Sequence, residues 1–215
     1  MKRGDHEKVD EYLEQGADRD ATHDLGDPNG AGRSAVYWAC RGGHLSTFRL
    51  LVAKGADFRA ADDNSSTPFL AACGNGRNLQ IMRELKDLGA DVHAIDNKGW
   101  NAVLHAAQRG FLEGLRELKE WGVDLQRTSN RGFNAVLIAA QEGHAECVTL
   151  LLASPSIGVN QADNNGYTPL IIAAQKGQAE CMRLLLASPS IATWMPSSSP
   201  ASSCALRDSR HALAA

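Results

Sequence analysis

The chain has 215 residues, of which 43% are hydrophobic and 22% charged, with a formal net charge of −3 at pH 7. These values exclude a fibrous or wholly disordered chain, and the mixed charges show no basic patch for nucleic acid. The longest strongly apolar run, 135–140, is too short to cross a membrane, so we expect a soluble protein of the cytoplasm or nucleus.

A similar block of residues returns along the chain about every 33 residues. Each block begins with a residue that can cap a helix and continues with small and apolar residues. The blocks start at Ser34, Thr67, Asn101, Asn134 and Thr168, so their spacings are 33, 34, 33 and 34 residues. A fixed period of this length is typical of a solenoid, in which each unit packs only on its neighbours.

The segment 96–124 shows what one unit contains. Its first four residues have turn composition, and a short run of small apolar residues then ends at Gly110. A second apolar stripe follows, with leucines at positions 112, 115 and 118, and ends at Gly122. The pattern predicts a turn and two helices, and because neither helix can bury its apolar face alone, each pair must pack on adjacent pairs.

Three short motifs recur in register within these units. They are a Thr-Pro pair, a Gly-His pair and a Gly-Ala-Asp triplet, as in Thr67-Pro68, Gly143-His144 and Gly55-Ala56-Asp57. In this register the chain resembles the ankyrin repeat family from about Gly4 to Ile191. The resemblance implies an all-α solenoid of stacked helix-turn-helix units joined by short β-hairpin-like loops.

The positions of these recurring motifs divide the chain into three parts. Residues 1–29 form a partial repeat with an enlarged loop, and residues 192–215 form a Ser/Pro-rich tail that we expect to be disordered. Five repeats lie between them, at about 30–61, 62–95, 96–128, 129–162 and 163–191. The last repeat keeps interior-type apolar residues, so we favour a fragment of a longer array over a chain whose Trp194 and Met195 fold back across that end.

The starts of the first helices carry two further expectations. Threonine and asparagine at these positions can accept a hydrogen bond from the first helical turn, and proline fits the first helical position. The family's histidine inside this helix is replaced by Tyr37, Leu70, Leu104, Leu137 and Ile171. We expect these five side chains to pack in the apolar interior.

The resemblance directs the search for contacts to the hairpin tips and the first helices, because ankyrin-like stacks usually meet their partners there. Three residues that precede caps, Trp100, Phe133 and Tyr167, form an aromatic ladder that either anchors a partner or packs on neighbouring hairpins. The nearby charges make the concave face mildly basic, which suits a partner with an acidic and apolar segment. Solvation alone would explain the same charges. The candidate contacts are Arg33, Arg41, Lys98, Trp100, Arg109, Arg131, Phe133, Glu142, Tyr167 and Lys176.

The sequence carries no pattern of a catalytic or metal site. It lacks a Cys-x-x-Cys pair, a complete phosphate-binding or calcium loop, and a plausible Ser/His/Asp or Cys/His arrangement. Four cysteines form two pairs of equivalent positions, Cys40 with Cys73 and Cys147 with Cys181, whose helices stand too far apart for disulfides, so we expect buried thiols. We predict a non-enzymatic protein-interaction scaffold without a cofactor. The alternative is a substrate-recruiting part of a larger enzyme or ubiquitin-ligase adaptor.

Overall fold

Helices arranged in consecutive pairs make up the part of the chain that the structure describes. The computed structural model describes residues 20, 32–76, 78–154 and 157–188, and these residues contain ten α-helices and one π-helix. The α-helices are α1 (Ala35–Gly42), α2 (Leu45–Ala53), α3 (Pro68–Ala71), α4 (Leu79–Asp87), α5 (Ala102–Arg109), α6 (Leu112–Glu120), α7 (Ala135–Glu142), α8 (Ala145–Leu152), α9 (Pro169–Gln175) and α10 (Ala179–Ala187). The π-helix, Ala72–Gly76, directly follows α3.

We number the five helix pairs as the first to fifth units. Apart from Asp20, the predicted partial repeat at 1–29 lies outside the described residues, and so do the predicted tail at 192–215 and the Trp194–Met195 alternative. The repeat boundaries therefore stay predictions, whereas the all-α solenoid is confirmed.

The first helix of every unit starts at a capping side chain. Each side-chain oxygen accepts a hydrogen bond from the backbone N–H three residues further on, at 2.8–3.3 Å. The caps are Ser34, Thr67, Asn101, Asn134 and Thr168. A glycine in the left-handed conformation ends three of these helices, at Gly43, Gly110 and Gly143. The local sequence therefore determines both ends of these helices.

The helices stack in two rows. First helices contact first helices of adjacent units, and second helices contact second helices. The apolar residues between the rows form one continuous cluster from Val36 to Leu185. On the outer row, Arg49 of α2 pairs with Glu84 of α4, and Arg83 of α4 pairs with Glu117 of α6. Within the described part of the chain, no helix is long and apolar enough to cross a membrane.

The residues that replace the family's histidine are buried in four units and exposed in one. Leu70, Leu104, Leu137 and Tyr37 are at most 4% exposed, as expected. The expectation was wrong for Ile171, which is 47% exposed. The earlier first helices are each followed by another first helix, whereas among the described residues none follows α9. Burial at this position is therefore a property of the neighbouring unit.

Candidate functional site

In the second to fifth units, a single side chain organises the turn that precedes the first helix. In the third unit, Oδ1 of Asp96 accepts hydrogen bonds from the backbone N–H groups of Lys98 and Trp100, both at 2.9 Å. The side chains of Asp62, Ser129 and Asp163 make the same pair of bonds in other units. Because the acceptor holds residues two and four positions ahead, it fixes where the predicted contact side chains leave the backbone.

Asparagine side chains join successive turns. Asn97, Asn130 and Asn164 each donate their backbone N–H to a carbonyl of the preceding turn at 2.9–3.0 Å. Each also donates its side-chain amide to a second carbonyl of that turn, at 2.9–3.2 Å. The sequence analysis missed this asparagine ladder, although an asparagine at one fixed position in three units is a visible signal. The ladder ties the turns into one continuous edge of the stack.

Arg33 is a predicted contact that the structure places inside the stack. It is 6% exposed, and its Nε lies 3.0 Å from Oδ2 of the buried Asp62. Its guanidinium also lies 5.0 Å from the ring centroid of Tyr37 and 5.4 Å from that of Trp38. Arg33 therefore joins the first two units and offers almost no surface to a partner.

The three predicted aromatic contacts differ in their exposure. Trp100 and Phe133 are half-buried and pack partly against the apolar cluster, whereas Tyr167 is 38% exposed. The ring centroid of Trp100 lies 5.2 Å from that of His105. These contacts support the packing interpretation for Trp100 and leave Tyr167 as the most accessible ring of the ladder.

The charged candidates lie along the face formed by the turns and first helices, which is the predicted concave face. Five of them are exposed, namely Lys98, Arg109, Arg131, Glu142 and Lys176. Arg41 is half-buried, with its guanidinium 5.5 Å from the ring centroid of Trp38. The structure thus brings most of the predicted charges to one surface and leaves their role in binding a prediction.

A notch of about 200 Å³ opens on this face between the first three units. We define the notch by Arg41, Ala71, Gly74, Lys98, His105 and Arg109, which line it. Ala71 and Gly74 come from the second unit, where the caps of the two helices lie 11 residues apart rather than 10 as in the first unit, and the π-helix takes up the extra residue. No motif in the sequence predicted this notch.

A hydrogen-bonded pair of side chains forms one wall of the notch. Nε2 of His105 lies 3.1 Å from Oδ2 of Asp96, and both side chains are largely buried. Burial raises the pKa of Asp96, but hydrogen bonds from His105 and from the backbone N–H of Trp100 outweigh it, so the pKa lies below its ordinary value. Asp96 is therefore held in its charged form.

This lowered pKa predicts acid sensitivity. The unfolded chain takes up a proton at Asp96 near the ordinary pKa of about 3.9, whereas the folded chain takes it up only at lower pH. The contribution of Asp96 to stability is thus complete above the ordinary pKa and is lost as the pH falls from there through the lower pKa of the folded state. We expect the free energy of unfolding to fall less steeply between about pH 5 and pH 3 in Asp96→Asn than in wild type. Urea titrations at several pH values measure the free energy of unfolding. If it falls equally steeply with pH in Asp96→Asn and wild type, the prediction is contradicted.

The described cysteines are poorly placed to act as nucleophiles. Cys40, Cys73, Cys147 and Cys181 are buried thiols. Burial, together with the Glu146 and Glu113 carboxylates, raises the pKa of Cys147 to about 11, which suppresses the reactive thiolate. Across the described ranges, no three His, Cys, Asp or Glu side chains cluster closely enough to hold a metal ion.

Comparisons with known proteins agree with this geometry. A family model described as ankyrin repeats matches residues 1–96, 54–129 and 103–193. Over 82 residues the chain is 38% identical to ankyrin repeat domain-containing protein 63 of Homo sapiens, which covers 37% of this chain and 22% of the relative. Over 99 residues it is 33% identical to protein phosphatase 1 regulatory subunit 27 of Mus musculus, covering 46% of this chain and 60% of the relative.

A third relative is an ankyrin repeat and KH domain-containing protein of Caenorhabditis briggsae. It is 39% identical over 80 residues, which cover 37% of this chain and 3% of the relative. The chain therefore spans less than two thirds of each of these relatives.

Proposed function

The chain belongs to the ankyrin repeat family, and from this premise we propose that it binds a partner protein through its turns and first helices. Ankyrin repeats are generally protein-interaction modules. The observation that carries the proposal is the asparagine ladder together with the side-chain bonds inside each turn. Both hold the contact residues in place before binding, so little conformational entropy is lost when a partner docks.

The charges on this face favour an acidic partner segment. Lys98, Arg109, Arg131 and Lys176 are exposed there, and Glu142 is the acidic exception among the candidates. Such a surface attracts negative charge and speeds the encounter with an acidic segment. Tyr167, with 38% of its surface accessible, adds an apolar contact for a side chain of the partner next to its acidic segment. We place this interaction in the cytoplasm or nucleus.

A second candidate function is recruitment for a separate catalytic protein. One relative is named as a regulatory subunit of protein phosphatase 1, and the others contain ankyrin repeats within longer chains. By analogy, this array would act as the substrate-recruiting part of an enzyme complex or ubiquitin-ligase adaptor. Both candidate functions use the same contact surface, so one experiment tests that surface for both.

We expect reversal of two exposed charges to weaken capture of the partner. The double variant Arg131→Glu, Lys176→Glu changes the turn and first-helix face, whereas Lys119→Glu places one reversed charge on the second-helix row. Affinity enrichment followed by mass spectrometry should recover the same proteins with wild type and Lys119→Glu, and about tenfold less with the double variant. Equal recovery by all three proteins, with matched melting temperatures, would refute the proposed surface.

A further inference from the structure

We propose that the notch binds one carboxylate side chain, from an aspartate or glutamate in an extended segment of the partner. This inference rests on the proposed function and adds the position and chemistry of one contact. It follows from the shape of the notch, from its charges and from the way its floor is built.

The notch interrupts a face that larger side chains fill in the other units. Two positions of the first helix decide this, and they hold Ala71 and Gly74 in the second unit. The first unit has Trp38 and Arg41 at these positions, and the third has His105 and Gln108. The fourth and fifth units have isoleucine followed by glutamine, at 138 and 141 and at 172 and 175. Among the described units, only the second has small residues at both positions.

The size of the notch suits a side chain. Its volume is about 200 Å³, which is below the roughly 300–1,000 Å³ of ordinary small-molecule pockets. One acidic side chain with accompanying water fits such a space, whereas a nucleotide-sized ligand does not. The open edge toward the turns allows the rest of an extended segment to continue along the exposed basic residues.

The charges around the notch favour a carboxylate. Four arginine or lysine side chains line it, against two aspartates. Both aspartates already have cationic or imidazole partners, because Asp62 pairs with Arg33 and Asp96 pairs with His105. Arg41 belongs to the first unit and Lys98 to the third, so these two basic groups approach from opposite sides of the floor. An incoming carboxylate would therefore lie between positive charges from two units.

Gly74 controls whether the notch is open. A Cβ added there would lie 3.5 Å from Nδ1 of His105, which is an ordinary van der Waals contact. Alanine therefore fits without displacing a neighbour, while the glutamine that three other units carry would extend into the notch. This gives a matched pair of substitutions at one position.

The test begins with a randomised peptide library displayed on phage and selected on the wild-type chain. The proposal expects selected peptides to share an aspartate or glutamate, and replacement of that residue by asparagine or glutamine to weaken binding about tenfold. Gly74→Gln should lower the affinity for the same peptide about tenfold, and Gly74→Ala should bind the peptide with wild-type affinity. Lys98→Gln, which changes an exposed side chain, should weaken binding and reduce its salt dependence.

Several outcomes would overturn the inference. They are selection without enrichment of acidic residues, equal affinity of the acidic and amide peptides, and full affinity in Gly74→Gln with an unchanged melting temperature. If Gly74→Gln folds poorly, Lys98→Gln with the acidic and amide peptides decides the question. Loss of partner capture in Arg131→Glu, Lys176→Glu with unchanged binding in the notch variants would retain the proposed function and reject the notch.

Discussion

Replacing Asp62 by alanine is expected to lower the free energy of unfolding by about 3–5 kcal/mol. One oxygen of the buried carboxylate pairs with Arg33 at 3.0 Å, and the other accepts the backbone N–H groups of Asn64 and Ser66 at 2.9 and 2.8 Å. The substitution removes all three of these bonds and takes the carboxylate away from the buried Arg33 guanidinium. Urea denaturation followed by circular dichroism measures the loss as a lower midpoint.

Two further variants separate the parts of this effect. Asp163→Ala removes the equivalent turn bonds in the fifth unit, where the side chain bonds to Asn165 and Tyr167 and not to a buried arginine. We expect it to cost about 1–3 kcal/mol. The double variant Arg33→Met, Asp62→Ala removes the buried charge and should recover part of the stability lost by Asp62→Ala. Equal losses in Asp62→Ala and Asp163→Ala would show that the Arg33 pair contributes nothing.

Asn134→Ala is expected to cost about 2–3 kcal/mol. The side chain is 1% exposed and makes two bonds in opposite directions. Its Oδ1 accepts the N–H of Leu137 at 2.8 Å and caps α7, while its Nδ2 donates to the carbonyl of Gly158 at 3.0 Å. Alanine loses the cap and also leaves the Gly158 carbonyl without this donor. Thermal and urea unfolding both measure the difference.

A threonine at the same position isolates the second bond. Threonine caps two first helices of this chain, so Asn134→Thr should retain the cap and lose only the donation to Gly158. We expect a loss of about 1 kcal/mol, between wild type and alanine. If the threonine and alanine variants are equally destabilised, the cap does not contribute as described. Asn101, which bonds to Leu104 and Asp124 in the third unit, offers a repeat of the comparison.

Contacts between residues close in sequence were predictable, and contacts between units were much less so. The caps of the first helices and the glycines that end three of them act within a few residues, so their sequence patterns predict them directly. The role of Arg33 depends on Asp62, which lies 29 residues away. The sequence alone is equally consistent with Arg33 as a surface contact. Ile171 shows the same limit, since its exposure depends on whether a following unit covers it.

The notch was invisible to the sequence analysis for a related reason. Ala71 and Gly74 are ordinary small residues of a first helix when their own unit is considered alone. They become a floor only because larger side chains from the first and third units stand on either side. Comparison of equivalent positions across units, rather than motif matching within one unit, is the signal that would have found it.

The π-helix shows how this fold can change its length without losing its alignment. One residue added to a regular α-helix would rotate everything after it by about 100°. Here the wider turn takes up the addition, and Asn78 still caps α4 and donates to the carbonyl of Gly43 at 3.1 Å. Arg83 of α4 also still reaches Glu117 in the next unit. Natural variation can therefore reshape one surface position of a unit while leaving its attachment to both neighbours intact, which provides a route to new binding specificity that spares the core.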